Sequence, residues 1–266
     1  MKPSDLDTVE QLLRHQRRIR GKPFLEKLYA DFYRTIRTEL AAAVSGPVVE
    51  LGAGTGFFKE IVPQAFPADI LPSPFVALCC DGQRLPFRDE SLTAIVMLNV
   101  FHHLPAPGRF LKEAERCLKP GGKVVMIEPW MTLGSFAVYR LLHHERTDPR
   151  QCGWEFKSSG PLSGSNQALP WIVFKRDRAL FAARFPGLVI ERIALHTPLG
   201  YLFSGGLSHP GSLPSSWFAA LRRLEKGLRP LYPLTAMFAT ITLTRRGGGD
   251  REAPGGAPGR KDTHGC

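Results

Sequence analysis

Three things are missing from this 266-residue chain, and each absence removes a class of protein. No apolar run approaches the roughly 18 residues of a membrane-spanning helix, and Met1-Lys2-Pro3-Ser4-Asp5 opens no apolar segment of the secretory kind. The five cysteines contain no Cys-x-x-Cys pair, and Cys79 and Cys80 are neighbours whose side chains would point to opposite faces of one strand. Neither a disulfide framework nor a zinc site follows from that arrangement, and core filling in a reducing cytoplasm does. Clustered His, Cys or carboxylate at metal-ligand spacing is also lacking, so the expectation is no metal. At 43% apolar residues the chain can bury a large core, which predicts one enzyme-sized domain with embellishments.

What is present is a glycine turn. Val48-Val49-Glu50-Leu51 reads as a buried strand that breaks into Gly52-Ala53-Gly54-Thr55-Gly56-Phe57 and then a helix. Glycines at alternate positions permit positive φ and close backbone approach to a ligand, and the following helix aims unpaired N–H groups at it. A dinucleotide fingerprint needs a third glycine where Phe57 stands. It also has no use for Glu50, a carboxylate at the strand end that suits a ligand with a cationic end. The pattern Glu-x-Gly-x-Gly-x-Gly resembles motif I of the class I S-adenosylmethionine-dependent methyltransferases.

Further residues extend the resemblance over about residues 47 to 129. Asp69 lies 17 residues after Gly52, near the roughly 20-residue spacing at which an acid meets ribose hydroxyls. Val76 to Cys80 reads as a strand ending in Asp81-Gly82, followed by Leu85-Pro86-Phe87. Leu92 to Asn99 reads as a fourth strand with Val100-Phe101-His102-His103-Leu104-Pro105 as its exit loop. Pro107 to Leu118 has helical spacing, ended by Lys119-Pro120-Gly121-Gly122, and Lys123 to Pro129 starts a fifth strand. This order is similar to the small-molecule, methyltransferase type 11 branch of the family. Two departures stand out: Ser91-Leu92-Thr93 replaces the usual Ser-Phe-Asp, and Leu71 to Phe75 is too short and too proline-rich for a helix between strands two and three.

The resemblance implies an α/β fold: a Rossmann-like, doubly wound, seven-stranded and mostly parallel sheet with an antiparallel last strand and helices on both faces. It implies S-adenosyl-L-methionine as cofactor, held by Glu50, Gly52, Ala53, Gly54, Gly56, Phe57, Asp69, Asp81, Gly82 and Asn99. In that reading Glu50 serves the amino acid end through the turn, Asp69 the ribose, Asp81 the adenine amino group, and Asn99 the methionyl part. His102 or His103 is the candidate general base, and each could equally cap the next helix or fill the wall. Glu128 and Tyr139 are further candidates for touching the acceptor.

Around this centre, residues 1–46 are expected to form a helical cap of two segments broken at Gly21-Lys22-Pro23, with Ser4 as N-cap. Phe24, Leu28, Phe32, Ile36 and Leu40 form its apolar stripe. Residues 47–246 form the main domain, with substrate-side insertions at about 145–176 and 198–235, and 247–266 reads as a disordered tail. Trp130 to His144, Asp177 to Phe185 and Ser215 to Leu228 read as helices, the last with Phe218, Leu221, Leu224 and Leu228 on one side. Leu188 to Thr197 and Ala236 to Arg245 read as strands. Gln151 to Pro170, rich in Gly, Ser and Pro, has the length of a functional lid.

The net charge is +11, unevenly spread: residues 129 to 244 hold thirteen Lys and Arg against six Asp and Glu, while 47 to 128 hold eight against nine. A basic substrate-side region suits an acidic substrate, peripheral contact with an anionic membrane surface, or nucleic acid, while the resemblance implies methyl transfer to O, N or C of a small metabolite, hydrophobic ones included. A nucleic-acid acceptor fits less well, because Asn99 is followed by Val100-Phe101-His102 and not by Pro-Pro and an aromatic. A catalytically silent binding protein on the same fold is the remaining alternative. Nothing in the sequence sets the oligomeric state.

Overall fold

The computed structural model describes residues 8–41, 45–54, 56–142, 145–158, 160, 164–207, 209 and 211–247. Thr55, Ser4 and the expected tail beyond Gly247 lie outside these. Two helices come first: α1 (Val9–Arg20) and α2 (Pro23–Leu40), parted at Gly21-Lys22 as the sequence predicts. The cap of α1 is Thr8, whose hydroxyl accepts from the Gln11 backbone N–H at 3.2 Å, and not Ser4. Leu28, Phe32, Ile36 and Leu40 of α2 are all buried and pack on the sheet, Phe32 meeting Phe238 at 5.3 Å between ring centres.

Seven strands follow: β1 (Val48–Leu51), β2 (Phe66–Asp69), β3 (Leu78–Cys79), β4 (Leu92–Leu98), β5 (Leu118–Pro129), β6 (Leu188–His196) and β7 (Phe238–Arg245). Their order across the sheet is β3-β2-β1-β4-β5-β7-β6, parallel from β3 to β5, with β7 antiparallel to both of its neighbours. This is the Rossmann-like, doubly wound sheet implied above, with the last strand inserted beside the fifth. The strand order reverses between β1 and β4, and ligands of such sheets sit outside the carboxyl ends at that switch point. All four β1 residues are buried, as the wholly apolar environment of a central parallel strand requires.

Between the strands lie α3 (Phe58–Ile61), α4 (Pro107–Cys117) and α5 (Leu133–Leu142). No helix joins β2 to β3, so the short proline-rich link behaves as expected. Two boundaries differ. The Lys119-Pro120-Gly121-Gly122 turn is absorbed into β5, because Leu118 already pairs with Leu92 and the register shifts across the turn, with Gly121 at φ +76°. Helix α5 starts at Leu133 and not Trp130, because Thr132 and Ser135 exchange backbone and hydroxyl hydrogen bonds at 2.8 and 3.1 Å and fix its first turn.

The expected lid is a wall in its described part. Trp154 is buried and its indole N–H donates to Asp177 at 2.9 Å, while the Asn166 backbone N–H donates to the His102 carbonyl at 2.9 Å. The helix Phe218–Gly227 is also turned differently from its predicted face: Leu224 is exposed and Glu225 is buried. Glu225 earns that place by accepting from the backbone N–H groups of Leu199 and Gly200 at 2.9 and 2.7 Å and by pairing with Arg222.

Candidate active site

A cavity of about 980 Å³ opens at the carboxyl ends of β1 and β4, under a roof made by α1 and α2. Gly52, Ala53, Gly54, Asp69, Asp81, Gly82, Asn99, His102 and His103 all line it. The turn has the shape that its glycines permit. Gly52 sits at φ +65°, and a Cβ there would lie 2.3 Å from a Val100 methyl; Gly54 sits at φ +50°. Glu50, Gly56 and Phe57 are absent from the cavity lining; Glu50 lies one residue behind the lining residue Leu51. Gly56 backs onto Phe75, and Phe57 is buried beneath the Arg20 guanidinium, 4.2 Å from its ring centre, so both shape the turn from behind.

The acids occupy strand ends. Asp69 closes β2, and its carboxylate accepts from the Gly54 N–H at 2.8 Å and the Leu71 N–H at 3.0 Å, which ties the glycine turn to the next strand. Asp81 follows β3 and accepts from the Gln83 N–H at 2.8 Å. Glu50 differs from both. It is buried, and among the described residues neither of its oxygens accepts a hydrogen bond of normal geometry. Burial, reinforced by the Asp69 charge, pushes its pKa up to about 8 even though the Tyr33 hydroxyl lies near enough to favour the charged form. The Asn99 side-chain oxygen, on a residue held at φ +57° at the end of β4, is likewise buried without a partner.

These two unmet groups are a test of whether the implied cofactor fits. A buried carboxylate without a donor is costly unless a cation or strong donor arrives. A ligand carrying an ammonium group, cradled against Gly52 and Gly54 where side chains are excluded, supplies that donor. The residues present therefore fit S-adenosylmethionine.

The histidines lie on a single 3₁₀ turn, Phe101–His103, directly after β4. Glu128, fully buried near the end of β5, organises that turn: Oε1 accepts from the Val100 and Phe101 backbone N–H groups, both at 2.8 Å, and Oε2 faces His102 Nδ1 at 2.6 Å. Glu128 is thus committed to the protein and does not reach an acceptor. Tyr139 lines the cavity, but its hydroxyl donates to the Met237 carbonyl.

On its other side, His102 Nε2 lies 3.4 Å from Glu145 Oε2. Burial opposes a charge on this ring, yet the two carboxylates outweigh it and raise the pKa to about 9. His103 is its opposite: burial and the neighbouring His102 charge lower its pKa to about 4, and its Nδ1 is bound to the Gly164 carbonyl at 3.0 Å. With Nδ1–H donating to that carbonyl, Nε2 carries the lone pair.

Several lining residues escape sequence reasoning. Glu145 stands 42 positions from His103, and only the path of the chain after α5 brings it back. His102, His103 and Glu145 place ligand-type atoms within 4.8 Å of one another, so the lack of metal-like spacing does not carry over to three dimensions. Tyr29 and Tyr33 of α2 face the cavity one turn apart, beside the predicted apolar stripe and hidden by it.

Comparison with known proteins agrees with this geometry. A family profile described as a methyltransferase domain matches residues 49–126. The human protein named probable tRNA methyltransferase 9B is 30% identical over 122 residues, covering 41% of this chain and 27% of its own length. An uncharacterized methyltransferase of Mycobacterium tuberculosis is 30% identical over 128 residues, covering 36% of this chain and 50% of its own. The chain thus spans between about a quarter and a half of the length of these curated relatives. Geranyl diphosphate C-methyltransferase from Streptomyces coelicolor A3(2) superposes with a TM-score of 0.52 at 17% identity, covering 83% of this chain and 80% of that one, and so shares the fold. Residues 49–126 thus match a methyltransferase domain, and sheet order and glycine turn are those of the class I S-adenosylmethionine-dependent methyltransferase fold.

Proposed function

We propose that this chain methylates a small, partly apolar acceptor held in the same cavity as the cofactor. The observation that carries the reading is the pair of unmet buried groups, the Glu50 carboxylate and the Asn99 side-chain oxygen, at the ends of two adjacent strands beside the glycine turn. Glu50 would take the ammonium end, Asp69 the ribose, Asp81 and the Gly82 backbone the adenine, and Asn99 the methionyl part. When bound, the cofactor supplies a methyl group on a positively charged sulfur, ready for in-line displacement. The chain's own residues must align the acceptor, exclude water and take a proton where the nucleophile carries one.

A volume of about 980 Å³ lies at the upper end of small-molecule sites, enough for a cofactor and a metabolite together. Leu12, Ile19, Leu104, Leu207 and Phe238 give the cavity an apolar side. Despite burial, the carboxylates facing both ring nitrogens of His102 raise its pKa to about 9 and make it the poorer base of the two. His103, whose pKa is lowered to about 4 and whose Nδ1 is tied to the Gly164 carbonyl, is the base of this proposal.

A nucleic-acid acceptor is the second reading, favoured by the name of the human relative and by the basic excess over residues 129–244. Incubation with methyl-labelled S-adenosylmethionine plus either a metabolite extract or total tRNA separates the two. Label is expected in the small-molecule fraction, and His103→Ala should lower its transfer by about a hundredfold while S-adenosylhomocysteine still binds. Label confined to tRNA would replace the first reading with the second.

A further inference from the structure

We propose that His102, His103 and Glu145 form a binding site for one divalent transition-metal cation in the wall of this cavity. The three residues offer ligand-type atoms within 4.8 Å of one another. His102 Nε2 and Glu145 Oε2 are 3.4 Å apart, the span of two metal–ligand bonds of about 2.1 Å meeting near the tetrahedral angle.

The orientation of the rings is the stronger point. Histidine ligands characteristically tether their other ring nitrogen to a carboxylate or a backbone carbonyl, which fixes the tautomer and aims the lone pair. Both tethers are present: His102 Nδ1 to Glu128 at 2.6 Å, and His103 Nδ1 to the Gly164 carbonyl at 3.0 Å. Glu128 is in turn held by the backbone N–H groups of Val100 and Phe101. Each ring therefore presents Nε2.

A proton shared by His102 and Glu145 is the competing occupant. It accounts for that pair but leaves His103 with its ring centre 4.2 Å from a ring that would be positively charged. A cation between the three uses both lone pairs and the carboxylate at once. Two imidazoles and one carboxylate suit zinc, iron, cobalt or nickel better than magnesium or calcium, and three protein ligands leave a position open to the cavity.

The use of this site rests on the methyl-transfer reading; its existence does not. An acceptor hydroxyl taking the open position would lose its proton to water more readily, and His103 would then serve as a ligand in place of a base.

The test is calorimetry of the full chain, stripped with a chelator and titrated with Zn²⁺, with Co²⁺ absorption in the visible range as a second readout. One equivalent should bind to the wild type, with affinity reduced about tenfold or more in His103→Ala and Glu145→Gln and unchanged in His209→Ala, a control for exposed histidine. No Zn²⁺ binding by the wild type, or equal binding by all variants, would overturn the site. S-adenosylhomocysteine binding is measured on every sample: a wild type that binds it but takes up no Zn²⁺ sinks this site alone, while failure of the wild type to bind S-adenosylhomocysteine sinks the methyl-transfer reading.

Discussion

Residues 47–129 and residues 130–235 line the same cavity by different means. In the first region each candidate cofactor-binding group sits at a strand end or in the turn just after it: Glu50 on β1, behind the lining, Asp69 on β2, Asp81 after β3, Asn99 after β4. Their positions follow from parallel pairing, which aligns all these ends on one edge. In the second region groups are placed by contacts between distant segments, such as Trp154 with Asp177, Asn166 with the His102 carbonyl, and Glu225 with Leu199 and Gly200. Local rules of chain geometry place the first set, and tertiary packing places the second.

The largest test of that division is Gly54→Val. Gly54 holds φ +50°, a conformation that a β-branched residue rarely adopts, and its Cβ direction leads towards Leu12 of α1 across the cavity edge. Strain and lost space together should weaken S-adenosylhomocysteine binding by more than about a hundredfold, or roughly 3 kcal/mol. Calorimetry checks the binding and circular dichroism the fold. Unchanged affinity in a folded variant would remove the turn from the site.

Next in size is Glu50→Gln. The folded carboxyl has its pKa raised to about 8 from an ordinary value of 4.5. Between those limits the folded chain holds a proton that the unfolded chain has lost, so without ligand this group makes stability fall as pH rises, by at most about 1.4 kcal/mol per pH unit. Glutamine removes that decline. His102 and His103 titrate over overlapping ranges, so the difference between variant and wild type in thermal unfolding at pH 5 and pH 8 isolates Glu50. Cofactor binding should weaken by about ten- to a hundredfold. At pH 7 the wild type should also release close to one proton on binding, read from calorimetry in buffers of different ionisation enthalpy, and the variant should not. Equal proton release in both would mean that Glu50 does not meet the ligand's cation.

How far each region could be read in advance follows the same line. The β1 turn and the β4 exit were legible because glycine placement and apolar runs report directly on backbone geometry, while the antiparallel last strand was implied by the family resemblance. Phe57 was read as a cofactor contact and lies behind the turn, because a motif gives positions along the chain and not which side of the turn faces the ligand. Glu225 was hidden because a buried acid is worth having only if distant N–H groups come to meet it. The partners of Glu128 were equally invisible: β5 had to be laid beside β4 before that carboxylate could reach the Val100 and Phe101 backbone.

The smallest effect concerns the roof, which belongs to neither region. Arg20, at the end of α1, stacks over Phe57 behind the glycine turn and pairs with Glu26 and Glu60. Its side chain is 43% exposed, and those of Glu26 and Glu60 are 37% and 57% exposed, so water and salt screen the charges. Exposed pairs of this kind contribute up to about 1 kcal/mol, and a half-exposed cation over an aromatic ring a similar amount. Arg20→Ala should therefore lower cofactor affinity by about two- to fivefold, by loosening α1 over the turn. High salt should shrink the part of that difference due to the ion pairs and leave the Glu50→Gln effect, which is buried, nearly intact. If Arg20→Ala weakened binding as much as Glu50→Gln and resisted salt, the roof would carry part of the recognition. The cofactor side would then no longer be the product of local chain geometry alone.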